Sequence, residues 1–455
     1  MTRVRRVATV AGCLLVVCAG SLAGSDATRA RATATPIEHV VVLMQENHSF
    51  DNYFGTYPGA DGIPDGACMP IDPASPGGEC VQPFHLGDND VNLEDPVHSA
   101  SIFAAQLNGG LMDGFVKALA QRGQDGRLAM GYYDERDLPY YWNLVDEYVL
   151  FDHFFSSTGP SFANHMFWVT GAPADERPDL GELTPTLTIF DRLEAAGIDW
   201  KFYIEDYDPD VTYRSLHESP NTYSEQVASV PLLNIDRFID DPALNSRLVD
   251  LEEYYVDLER GTLPAVAYMV SAGTSEHPTG GVITGQRFVR SLVQALMRSD
   301  VWESSAFMVT YDDWGGWYDH VPPPVVDEHG YGFRVPAFLV AGYARHGHIE
   351  STTLDYTSIL RFIEDNWSLE PLAERDRNAA SIAGAFDFTR PPRQPEFISF
   401  ERSSPDSTVE PRREILYAAY GAALVIGLGA IAYAALGLVG SGNRPESGPA
   451  GEAYL

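Results

Sequence analysis

Val40-Val41-Val42-Leu43-Met44-Gln45-Glu46-Asn47 is an apolar, β-branched run that stops at a carboxylate and an amide. A run of about five to eight such residues reads as a strand buried on both faces of a parallel sheet. A second run, Ala306-Phe307-Met308-Val309-Thr310, leads through Tyr311 to Asp312-Asp313. In open α/β sheets, ligands bind just beyond the carboxyl ends of the strands. Four oxygen-bearing side chains, Glu46, Asn47, Asp312 and Asp313, are therefore expected at one sheet edge, where they would suit a hard divalent cation.

Working outward, further strands are expected over 148–154, 199–204, 264–270 and 335–341, beside those over 38–44 and 305–311. Helical stretches fall between them at 99–107, 110–121, 162–170, 187–196, 284–298 and 355–365. This alternation predicts an α/β domain over 35–390, with a mostly parallel sheet covered on both faces. No internal repeat is visible. The loop 55–97 is dense in turn residues, and loops of that length in a compact domain are functional or disordered.

The 455 residues carry a formal net charge of −34, and Lys117 and Lys201 are the only lysines. Such acidity opposes nucleic-acid partners. It fits a high-salt setting or an ordinary acidic secreted protein. Arg3, Arg5 and Arg6 precede an apolar stretch from Val7 to Ala19 and then small residues. That is the layout of a signal peptide, with a short spacer to residue 34. The Arg5-Arg6 pair leaves a twin-arginine route open, and the lipoprotein-like Val10-Ala11-Gly12-Cys13 is discounted because the apolar run continues past it. Ile415 to Val439 contains no charge and is long enough to span a bilayer as one C-terminal transmembrane helix. Residues 391–414 read as a stalk and 440–455 as a short tail. Exported, surface-anchored display is the resulting expectation, although Arg412 and Arg413 sit on the side that the positive-inside rule disfavours. Cys68 and Cys80 are expected to form a disulfide in an exported chain.

Three other segments carry chemistry. In Gly159-Pro160-Ser161-Phe162-Ala163-Asn164, Ser161 sits where a strand turns into a helix, as an N-cap or as a nucleophile. A nearby cation would lower the pKa of its hydroxyl. In Ser275-Glu276-His277-Pro278, His277 is held extended before proline. His98, in Asp95-Pro96-Val97-His98, is a second imidazole able to reach the same edge. Either histidine could satisfy a core carbonyl, or contact phosphate and protonate a leaving group. His85, His217 and His320 rank behind them.

Gln45-Glu46-Asn47-His48-Ser49-Phe50-Asp51-Asn52-Tyr53-Phe54-Gly55 resembles the opening motif of the bacterial phosphoesterase family. The 159–164, 275–278 and 310–320 segments match its later motifs in order, so the resemblance runs from about Ile37 to Phe362. It implies an alkaline-phosphatase-like three-layer sandwich and a metal-dependent phosphoric ester hydrolase. By position it implies Glu46, Asn47, Asp312 and Asp313 as ligands of one divalent ion (calcium, magnesium, manganese or zinc). Ser161 would be the nucleophile, with His98 and His277 on the phosphoryl group. The expected substrate is a phospholipid, as for phospholipase C, or a small phosphate monoester, as for acid phosphatase. A non-catalytic surface binder on the same scaffold is the reading of another class. His48 and His165 replace the arginines of two motifs, and Trp314 stands where many relatives carry histidine.

Overall fold

The structure is a computed structural model. It describes residues 32–75, 77–87, 94–159, 161–173, 186–218, 224–271, 274–278 and 280–402. Eight strands form the central sheet: β1 (His39–Gln45), β2 (Val149–Phe151), β3 (Trp200–Ile204), β4 (Leu248–Asp250), β5 (Val266–Val270), β6 (Ser305–Tyr311), β7 (Ala337–Ala341) and β8 (His348–Glu350). Their order across the sheet is β8-β2-β7-β6-β1-β5-β3-β4. The six expected strands are all present. The added pair, β4 and β8, form its two edges and are three residues long.

Strands β1, β5 and β6 are the most apolar and lie at the centre, paired in parallel. All seven residues of β6 are buried, so layers cover both faces of the sheet. β7 alone runs antiparallel to its neighbours β6 and β2. No crossover helix separates β6 from β7. The connecting loop returns at the edge it left, as Thr310 pairing with Ala337 requires.

The helices follow local chemistry. Ile189–Ala196 opens with a Thr188–Asp191 capping box and stops at Gly197, which adopts φ 68°. The helix expected over 110–121 is confined to Phe115–Ala120. Gly109, Gly110 and Met112 all have positive φ, which breaks the helical path before Phe115. Pro139–Glu147, with proline at its first turn, forms a helix that its aromatic-rich sequence concealed. Within the 55–97 loop, Cys68 and Cys80 form a disulfide.

Residues 391–400, read from sequence as the start of a stalk, lie against the domain. The Arg393 guanidinium donates to the Glu147 carbonyl (2.8 Å), and Phe400 stacks on Tyr140. Among the described residues no helix is long and apolar enough to cross a membrane. The expected signal segment and the expected membrane helix at 415–439 lie outside the described residues.

Candidate active site

Parallel register brings the two acidic clusters together. Gln45 pairs with Tyr311, so β1 and β6 end level. The Asp312 N–H donates to the Gln45 carbonyl (2.9 Å), and the Glu46 N–H to the Ser275 carbonyl (2.9 Å). Glu46-Asn47, Asp312-Asp313 and the segment carrying His277 thus leave one edge side by side. Gly315 allows the chain to turn there. Its φ is +61°, and a β-carbon on it would lie 2.1 Å from the Asn47 carbonyl oxygen.

Asn47, Asp312 and Asp313 are buried. The Asp313 carboxylate accepts from Ser161 Oγ (2.5 Å) through one oxygen and from the Gly315 N–H (2.8 Å) through the other. Ser161 opens a ten-residue helix, Ser161–Thr170, whose other residues are all buried. The helix N-terminus is thereby fixed over the acids. Glu46 accepts from the Ser229 hydroxyl (3.1 Å).

Crowding of acids shows in their protonation. Burial, then the neighbouring Asp313 and Glu46 carboxylates, raises the Asp312 carboxyl well above its ordinary range. Burial and Glu225 lift Glu46 to about 7. The Asn47 amide bridges two sets of partners. One terminal atom stands 2.5 and 3.2 Å from the Asp312 oxygens, the other 3.0 and 3.2 Å from Nε2 of His277 and His98. With its nitrogen toward Asp312 the amide donates to the carboxylate. With its oxygen there, two acceptors meet, and a shared cation reconciles them. Glu46 and Asp312 each offer a donor atom within 4.8 Å of the other, and an Asn47 amide atom stands 2.5 Å from Asp312, a donor set that fits a divalent ion.

The rings of His98 and His277 meet edge-on with centroids 5.6 Å apart. Each has Nδ1 against a carbonyl, of Pro96 (2.7 Å) and Pro278 (2.6 Å) respectively. Nε2 of both is thus turned to the Asn47 amide and the site. Burial alone would lower His98, but Asp313 and Asp95 outweigh it and raise its pKa. Outside Ser161 lies a groove of about 520 Å³ lined by Asp95, Val97, His98, Ser99 and Phe162.

All seven residues expected from sequence meet here. The further histidines do not. His85 bonds Asp137 (2.5 Å), and His320 bonds Asp51 (2.7 Å) within a network around the buried Arg334. The His217 side chain lies outside the described residues. Trp314 is fully buried, donates to Gln106 (2.6 Å) and sets its ring edge-on to His98.

Sequence reasoning passed over three groups. Asp95 reaches within 4.0 Å of His277 Nε2. Buried Glu276, at φ +69°, accepts from the hydroxyls of Tyr53 and Tyr311 (2.6 Å each) and of Tyr141. Its carbonyl lies 3.1 Å from His48 Nε2. His165 is buried one helical turn below Ser161, and burial holds its pKa down to about 3. Ser275–Pro278 stood out in the sequence for His277 and not for Glu276, whose three tyrosine partners come from distant segments.

A hydroxyl at a helix start, a cluster of buried acids and two imidazoles can together carry out displacement at an oxyanion centre. A profile of the phosphoesterase family matches residues 37–370. Phospholipase C A of Mycobacterium tuberculosis is 29% identical over 427 residues, covering 79% of this chain and 78% of that protein. Non-specific phospholipase C6 of Arabidopsis thaliana is 28% identical over 426 residues, covering 84% and 78%. A solved alkaline phosphatase superfamily protein from Vibrio parahaemolyticus superposes with a TM-score of 0.35 at 12% identity, covering 72% of this chain and 66% of that one. The chain belongs to the phosphoesterase family and is a hydrolase of it.

Proposed function

We propose that the chain hydrolyses phosphoric esters through Ser161, on an alkaline-phosphatase-like scaffold, with phospholipids cleaved at the head group as in phospholipase C. Glu46, Asn47, Asp312 and Asp313 would hold one divalent ion. That ion, when bound, would supply positive charge against the serine oxygen and the phosphoryl oxygens. Ser161 Oγ gives up its proton toward Asp313 and attacks phosphorus in line. The ester oxygen leaves with a proton from His277 or His98, both of which present Nε2. This forms a phosphoserine, carrying the head group when the substrate is a diester. Water then attacks phosphorus, the same imidazole takes its proton, and the bond from phosphorus to Ser161 Oγ breaks as Oγ recovers its proton from Asp313. The helix N–H groups above Ser161 favour the developing negative charge.

The observation that carries this reading is the 2.5 Å hydrogen bond from Ser161 to Asp313 beside Asp312 and Asn47. Relatives named phospholipase C support the lipid substrate. The disulfide supports export, with the C-terminal stretch as anchor. Replacing Ser161 with Ala is expected to leave metal content intact while hydrolysis falls by about 10³-fold or more. Retained hydrolysis would remove Ser161 as nucleophile. Diacylglycerol release from phosphatidylcholine, compared with phosphate release from a monoester, tests the substrate. A preference for the monoester would favour a phosphatase.

A further inference from the structure

His165 lies beside the proposed ligands and is not used by the mechanism. It is 3% exposed, and its Nδ1 is buried with no hydrogen-bond partner. Its Nε2 lies 3.7 Å from Asp312 Oδ2, beyond hydrogen-bond reach. An ion at Nε2 would leave Nδ1 as it is, so the position of Nε2, not the orphaned Nδ1, is what bears on a ligand role. Ser161 and His165 are four residues apart on one helix, so they share a face. Ser161 on that face already meets Asp313. One donor atom each from Glu46, His165 and Asp312 lie within 4.8 Å of one another, all three in the interior of the site. Donors about 2.1 Å from a common ion stand about 3–4 Å apart, which the 3.7 Å separation satisfies.

We propose that His165 Nε2 is a ligand of the ion held by Glu46, Asn47, Asp312 and Asp313. The site then takes a divalent ion of the zinc, manganese or cobalt class rather than calcium or magnesium. Calcium and magnesium favour shells made of oxygen, whereas imidazole nitrogen favours the transition series. This rests on the cation-dependent reading above and specifies its ion.

The test uses full-length protein stripped of metal and reloaded, and reads binding rather than turnover. Co²⁺ is expected to bind at one ion per chain and to resist displacement by millimolar Ca²⁺. His165→Gln is expected to weaken Co²⁺ about tenfold or more while changing Mg²⁺ affinity less than twofold. Spin-echo spectra of the Mn²⁺-loaded protein should carry the nitrogen modulation of a bound imidazole. That signal should persist in the His98→Gln/His277→Gln double variant and vanish in His165→Gln. The unmutated and double-variant spectra decide the matter even if His165→Gln fails to fold. Unchanged Co²⁺ affinity in His165→Gln, or loss of the nitrogen signal in the double variant, would overturn the proposal. Asp312→Asn separates this from failure of the wider reading. Loss of all metal there keeps the cation site, whereas normal binding there removes it and His165 with it.

Discussion

Gly315 and Glu276 are the residues on which the site's shape most depends. A side chain at Gly315 would press on the Asn47 carbonyl from a left-handed backbone conformation. Gly315→Ala is expected to cost about 1–3 kcal/mol in urea unfolding and to lower metal affinity through Asn47. Glu276 gathers three tyrosine hydroxyls and precedes His277. Glutamine has one carbonyl oxygen and no charge, so Glu276→Gln is expected to lose about 1.5–3 kcal/mol. It should also lower turnover more than metal content, measured on the same preparation. At this scale the residues proposed to hold a cation or attack phosphorus could be picked out as candidates, because they follow strand ends. Glu276, Asp95 and His165 could not. Their roles depend on partners brought from remote segments, and a single line of sequence does not record those distances.

Among the elements, the level ends of β1 and β6 do most to build the site. Their uniform apolarity marks them as central parallel strands, so that part of the fold was readable. Edge strands β4 and β8 are short and half-exposed and give no such pattern. The reversal of β7 was also hidden, because direction depends on where the connecting loop returns. Strand β3 near the other edge is braced by Asp257 on the helix Glu252–Arg260. That carboxylate accepts from Lys201 (2.5 Å), Tyr203 (2.6 Å) and Thr262 (2.8 Å). Burial alone would raise it, but these partners outweigh burial and lower its pKa. A carboxyl lowered on folding contributes stability above its ordinary pKa and loses it as pH falls through the folded value. Asp257→Asn is therefore expected to destabilise the protein by about 1–3 kcal/mol at pH 7. In urea unfolding the difference should shrink as pH drops below the ordinary carboxylate range of about 4.

For the whole molecule, the buried acids carry the largest consequence. A metal bound at the proposed site would favour the native state alone, by about 2.7 kcal/mol when free ion is a hundred times its dissociation constant. Chelation should accordingly lower the thermal midpoint, and readdition should restore it. The apolar periodicity that delimits a core fades after the last helix, yet Arg393 and Phe400 still close over the domain. Covalent transfer of the phosphoryl group to Ser161 is the central step of the proposed hydrolysis. Full-length protein mixed with phosphatidylcholine, quenched in acid and mapped by peptide mass spectrometry tests that most directly. A phosphocholine group on the peptide containing Ser161, absent from Ser161→Ala, is the predicted result; turnover with Ser161 unmodified and the group on another residue would contradict it.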